Sequence, residues 1–254
     1  MHDLATNALW PVALGVLGAV FGSFIAALAI RWPQERSVLH GRSACDTCEE
    51  VLVPAELVPL LSAALAGGKC RRCGAPINPL HWRVELAGLA TGALAAVVMP
   101  GAEGVAAAVF GWLLLALVVL DITEFWLPDA LTVTLALAGI VAGLCGTGPD
   151  MASRLIGGAA GFGALWLVGA GYKALRGREG LGGGDPKLLG AIGLWTGWQA
   201  LPAIVVLACM IGLGVVLFWV VSGRQARLDD RLPFGALLGI AAYASVIAML
   251  GVGR

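Results

Sequence analysis

Eight stretches of this chain are apolar, most of them long enough to cross a bilayer. They lie near 8–30, 84–100, 105–122, 130–146, 155–172, 187–199, 201–221 and 234–251. Hydrocarbon about 30 Å thick is crossed by roughly twenty helical residues rising about 1.5 Å each. Only 13% of the 254 residues are charged and 59% are hydrophobic, whereas soluble domains carry about a quarter charged residues. The fold class this dictates is an all-α membrane protein of about eight transmembrane helices. The sixth stretch is short and runs into the seventh. Trp195, Gly197, Trp198 and Pro202 read as an interfacial turn between them. Without that turn the count is seven and the C-terminal topology inverts.

Positive charge orients the chain. Residues 31–83 hold Arg31, Arg36, Arg42, Lys69, Arg71, Arg72 and Arg83; 173–187 hold Lys173, Arg176, Arg178 and Lys187; 222–233 hold Arg224, Arg227 and Arg231. Those are 14 of the 16 basic residues, and eight crossings put all three segments on one side. Positively charged loops stay in the cytoplasm, so both termini are expected outside. Arg154 and Arg254 fall opposite. The first stretch has no basic residue before Arg31, unlike a cleavable signal peptide, and is expected to be a permanent helix.

This divides the chain into a first transmembrane helix (1–31), a cytoplasmic module (32–83) and a helical core (84–254). No internal repeat is evident. The module carries Cys45-x-x-Cys48 and Cys70-x-x-Cys73, with 21 residues between the pairs. Two such knuckles supply four thiolates, the tetrahedral set of a structural zinc site. Gly74 suits the turn that follows the second pair. Metal binding can supply the folding energy of a loop with little apolar surface to bury. Disulfides or thiol redox chemistry are the competing reading, which a reducing cytoplasm disfavours. Cys145 and Cys209 lie in apolar stretches and read as small apolar side chains. The run Gly157 to Gly161 allows helices to approach closely in lipid.

Two aspartates stand where apolar sequence meets water. Asp121 ends the third stretch, and Asp185 follows Gly182-Gly183-Gly184 at the start of the sixth. Eight crossings place both at the cytoplasmic face, although 64 residues separate them. A carboxylate at a membrane boundary is costly without a partner or a task. Two brought together cannot easily both ionise and share a proton. One can then activate water while the other polarises a peptide carbonyl. A second reading stays open: Asp185 caps the sixth helix ahead of Pro186, as Asp129 would cap the fourth after Pro128. Glu124 and Glu179 read as solvated loop charges. No phosphate-loop pattern surrounds Lys187.

Taken together these segments resemble the bacterial type IV prepilin peptidases, also called leader peptidase/N-methyltransferases. The resemblance rests on Phe21-Gly22-Ser23-Phe24 with Arg31 and Pro33; the Cys tetrad enclosing Leu57 to Ser62; and Val84-Glu85-Leu86. It continues through Leu120-Asp121, Leu127 to Thr132, Glu179 to Leu189, Gly197-Trp198-Gln199 and Pro233-Phe234-Gly235. Ala26, Ile30 and the proline-free first knuckle depart from the usual pattern. The resemblance implies an inner-membrane aspartic peptidase with Asp121 and Asp185 as catalytic residues, and Gly182 and Gly184 as the glycines of its GxGD motif. It implies substrates among type IV prepilins or type II secretion pseudopilins, cut on the cytoplasmic side. It also implies S-adenosylmethionine as donor for methylation of the new N-terminus, at a site the residues do not reveal. Two rivals use the same features otherwise: an aspartate-based ion transporter, and a non-catalytic zinc-dependent scaffold that binds pseudopilins. Nothing points to nucleic acid.

Overall fold

Helices form where the apolar stretches lie. The computed structural model describes residues 2–38, 42–45, 47–223 and 231–252; Arg224, Arg227 and Arg254 of the charge pattern lie outside them. Eight helices of at least thirteen residues follow the eight expected stretches: α1 (His2–Arg31), α3 (Leu80–Val98), α4 (Ala102–Glu124), α5 (Asp129–Leu144), α6 (Met151–Arg176), α7 (Gly184–Thr196), α8 (Leu201–Val221) and α9 (Phe234–Val252). A short helix, α2 (Leu61–Leu65), lies in the cysteine-bearing loop. Among the described residues, five of these helices, α1, α4, α6, α8 and α9, are long and apolar enough to cross a membrane, and α5 is a shorter apolar helix. The expected turn is present: α7 stops at Thr196, Gly197 takes a φ of 75°, and α8 starts at Leu201.

The chain divides into two compact units, Met1–Ala108 and Val109–Arg254. In the first, α1 packs on α3 through glycine. A Cβ on Gly22 would stand 2.6 Å from the Val84 carbonyl oxygen, and one on Gly88 would stand 2.2 Å from that of Gly18. Only glycine permits backbones this close, and lipid supplies no hydrophobic drive to hold them apart or together. The same device joins α6 to α7 in the second unit. There a Cβ on Gly157 would meet the Gly193 oxygen at 2.5 Å, and one on Gly193 the Gly157 oxygen at 2.2 Å.

α7 is surrounded by protein, with ten of its thirteen residues buried. Its far end is held by Arg154, in the first turn of α6 and only 1% exposed. The guanidinium donates to the carbonyls of Pro149, Gly139 of α5, Leu194 of α7 and Thr147. Trp195 adds a hydrogen bond to the Leu135 carbonyl (2.7 Å) and stacks at a tilt on Phe110, ring centres 5.0 Å apart. These contacts lock the C-terminal ends of α5 and α7, which leaves the N-terminal end of α7 as a fixed platform.

Candidate active site

Asp121 sits in the last turn of α4 and Asp185 in the first turn of α7, each only 6% exposed. Both stand beside Leu127: a Cβ on Gly184, next to Asp185, and one on Gly235, 3.1 Å from Asp121 Oδ2, would each strike that leucine at 2.7 Å. Each carboxylate is held by one backbone N–H. Ala236, in the first turn of α9, donates to Asp121 Oδ2 at 2.7 Å. Helix N-termini present unpaired N–H groups and partial positive charge, so an anion is stabilised there. Gly182 donates to Asp185 Oδ2 at 3.1 Å, while the Asp185 N–H donates back to the Gly182 carbonyl (3.2 Å). That reciprocal pair closes the glycine turn on its own aspartate.

The motif glycines have separate steric reasons. A Cβ on Gly182 would crowd Asp185 Oδ2 at 3.0 Å. A Cβ on Gly184 would meet Leu127 Cβ at 2.7 Å, and one on Gly235 would meet Leu127 Cδ1 at 2.7 Å and Asp121 Oδ2 at 3.1 Å. Leu127 therefore seats against the N-termini of both α7 and α9, which gives the first residue of the Leu127–Thr132 segment a packing role. The Pro-Phe-Gly segment likewise has a physical reading: it opens α9 and clears space for Asp121.

Asp129 does not cap α5. Pro128 occupies the N-cap position without a side-chain bond, and the Asp129 carboxylate instead pairs with Lys187 of α7 at 2.6 Å. Proline at the cap and aspartate inside the first turn leave that carboxylate free to reach across. Asp185 is not an N-cap either, since Gly183 holds that position and Pro186 lies one residue further in. Glu179 is a loop charge, as expected, but is held to Lys173 (2.9 Å), which lowers its ionisation range.

The four cysteines converge. Their sulfurs all lie within 4.8 Å of one another, with Cys45 Sγ 3.9 Å from Cys73 Sγ. A tetrahedron with metal–sulfur bonds of about 2.3 Å places sulfurs about 3.8 Å apart, so the set fits zinc. The loop contains a local repeat that the sequence conceals. Ala44 pairs with Val51 and Lys69 with Pro76; Cys45 N–H donates to the Glu50 carbonyl and Cys70 N–H to that of Ala75. Glu49 and Gly74 take the same positive φ, 57° and 73°. Different residues thus build two copies of one knuckle, and Arg72 pairs with Glu50 between them. Backbone N–H groups of Cys73 and Arg72 hold the Cys70 thiol down at about 7. The Glu50 backbone favours the Cys48 thiolate, but desolvation and the thiols of Cys45, Cys73 and Cys70 outweigh it and push Cys48 up to about 11. Crowded thiols with opposed proton affinities are what a divalent cation relieves.

A multi-pass helical membrane protein with two buried aspartates at helix ends and a four-cysteine knuckle pair is the class these features define. The type IV leader peptidase family matches residues 108–217, and the bacterial peptidase A24 N-terminal domain matches 16–99. A prepilin leader peptidase/N-methyltransferase of Burkholderia pseudomallei is 38% identical over 260 residues, covering 91% of this chain and 83% of the relative. One of Aeromonas hydrophila is 37% identical over 209 residues (81% and 71%), and one of Pectobacterium carotovorum subsp. carotovorum 35% over 268 (94% of each). No solved structure matches. The chain belongs to the type IV leader peptidase family.

Proposed function

We propose that this enzyme is an endopeptidase of the bacterial inner membrane that removes the basic leader from type IV prepilins or type II secretion pseudopilins, with Asp121 and Asp185 as its catalytic dyad. The observation that carries this reading is that two nearly buried carboxylates, from α4 and α7, each lie beside a glycine packed on the same Leu127 side chain. The substrate's apolar helix lies in the bilayer and its leader stays in the cytoplasm, so the scissile bond comes to the depth of the dyad. One carboxylate takes a proton from water, and the other, protonated, hydrogen-bonds the peptide carbonyl. Water's oxygen bonds to the carbonyl carbon, and the tetrahedral intermediate collapses as the leaving amine gains a proton. Backbone donors at Ala236 and Gly182 pin one oxygen of each acid, which orients the other without side-chain motion.

The dyad works at the cytoplasmic face, a reading supported by the basic residues of 31–83 and 173–187, which the positive-inside rule assigns to the cytoplasm. Cys45, Cys48, Cys70 and Cys73 hold zinc; with all four positions taken by protein, its role is structural. S-adenosylmethionine supplies the methyl group for the new N-terminal amine. The test is cleavage of a model prepilin by the wild type, Asp121→Asn and Asp185→Asn, with product masses. Either substitution should lower cleavage by about 10³-fold or more. Undiminished cleavage by either variant overturns the dyad. A mature fragment 14 Da heavier with S-adenosylmethionine present, by addition of about one CH₂ net, marks methylation.

A further inference from the structure

Residues 51–66 of the cysteine-bearing loop hold no lysine or arginine, and Glu56 is the one charged side chain in these sixteen positions. Basic residues stand on either side, at Arg42 and at Lys69, Arg71 and Arg72. A stretch this apolar but too short to cross a bilayer belongs either to a protein core or to a membrane interface. It is not core, because Leu57, Val58, Leu61 and Leu65 are exposed, the last two by 56% and 70%. Leu61 and Leu65 stand four residues apart on α2 and share one face. Ser62, Ala63 and Ala66 turn the other way and line a cavity with Ser23, Phe24 and Ala27 of α1.

We infer that this segment dips into the boundary between lipid headgroups and acyl chains on the side of Arg31, with Leu57, Val58, Leu61 and Leu65 against lipid. One hydrogen bond sets its depth. The Leu60 N–H donates to Glu85 Oε2 at 2.7 Å. Glu85 of α3 abuts Gly22 of α1, where an added Cβ would stand 2.7 Å from the Glu85 Cα. Gly22 precedes Arg31, the basic end of α1, by nine residues, about 13 Å of helix. The segment is thus tied to an apolar, membrane-length helix well inside its basic end. Phe21 of α1 and Trp82 and Leu86 of α3 are exposed near the same level, so the leucine face continues a surface already suited to lipid. Arg83 lies over the Trp82 ring, 5.6 Å from its centre, a pairing suited to the membrane–water boundary.

Backbone that enters apolar surroundings must have its polar groups satisfied. Here Leu57 N–H donates to the Pro54 carbonyl, Ser62 to that of Val58 and Ala64 to that of Leu60. Glu56 turns its carboxylate back to accept the Val53 N–H at 3.0 Å, and Pro54 and Pro59 have no N–H to satisfy. Leu60 delivers its own N–H to Glu85 from a φ of 61° and ψ of −49°, an unfavourable backbone for leucine. A buried carboxylate in α3 thereby acquires a task, which is to hold the segment at this depth.

The test is spin-label accessibility in the full-length zinc-loaded protein, carrying Cys145→Ala and Cys209→Ala and reconstituted in phosphatidylethanolamine–phosphatidylglycerol vesicles. Single labels at Leu61→Cys and Leu65→Cys are compared with Val20→Cys on the exposed face of α1 and with Ser37→Cys beyond Arg31. Zinc content reports whether the knuckles survive labelling. The ratio of oxygen to nickel-chelate accessibility at Leu61 and Leu65 should exceed that at Ser37 by about fivefold or more, because hydrocarbon admits oxygen and excludes a polar chelate. A ratio equal to that at Ser37, with Val20 open to oxygen, overturns the inference while leaving α1 in the membrane. Labels open to the chelate until a model prepilin is added, and shielded afterwards, also overturn it and make the face a substrate site. Wild-type protein in vesicles containing an acyl-chain diazirine lipid reads the same contact without substitution. Irradiation should attach lipid to peptides from 51–66, and attachment confined to the long helices overturns the inference.

Discussion

Leu127 makes Gly184 and Gly235 unequal, and substitution should show it. At Gly184 an added methyl group meets Leu127 Cβ, an atom fixed to the backbone. At Gly235 it meets the tip of the same side chain, which can rotate, and Asp121 Oδ2 at 3.1 Å, which must yield by a few tenths of an ångström. Overpacking that displaces backbone costs about 1–3 kcal/mol. Gly184→Ala should therefore lower both the melting temperature and cleavage. Gly235→Ala should melt close to the wild type yet cleave more slowly, because the atom it moves belongs to the dyad. Thermal unfolding in detergent beside single-turnover cleavage separates the two; equal losses of stability would refute the distinction. Both aspartates were visible as carboxylates at the ends of apolar stretches. Leu127 headed a segment that carried the resemblance, but its seat against two helix N-termini arises only when α7 and α9 close on it.

At the scale of elements, the two ionic contacts to α7 differ in kind. Lys187 and Asp129 are 46% and 68% exposed, and a pair so open to water is worth about 0–1 kcal/mol. Lys187→Met should leave the melting temperature nearly unchanged. Arg154 sits at the other end of the helix, fully buried, with four carbonyl oxygens depending on it. Removing a buried charged donor strands its partners at a cost of about 3–5 kcal/mol, so Arg154→Met should unfold the protein many degrees earlier. A melting temperature for Arg154→Met within two or three degrees of wild type, about the effect of 1 kcal/mol in a protein this size, would show the network to be dispensable. Helix positions were legible from the lengths of the apolar stretches and from Gly/Pro breaks. The partners of Arg154 were not, since Gly139 and Leu194 come within its reach only after α5, α6 and α7 pack. The knuckle repeat was hidden for a related reason: the backbone bonding repeats, while the residues that carry it, Glu49 against Gly74 for example, do not.

For the molecule as a whole, the crossing number turns on α7. Thirteen residues rise about 20 Å, short of hydrocarbon about 30 Å thick, so α7 could not span lipid alone. It need not, because its surface is covered by protein, and mismatch matters only where lipid is the neighbour. If the break at Gly197 makes α7 and α8 two separate passes, the basic segment 222–233 lies on the same side as 31–83. Alkaline phosphatase, active only outside the inner membrane, reads this directly when fused after Gly148, Gly177 or Gly223. With eight crossings the Gly148 fusion is active and those at Gly177 and Gly223 are silent. If 187–221 crossed only once, Gly223 would emerge outside and its fusion would be active, carrying Arg224, Arg227 and Arg231 against the charge rule. A silent Gly223 fusion keeps the glycine turn before Asp185 on the cytoplasmic side, where a basic leader awaits cleavage.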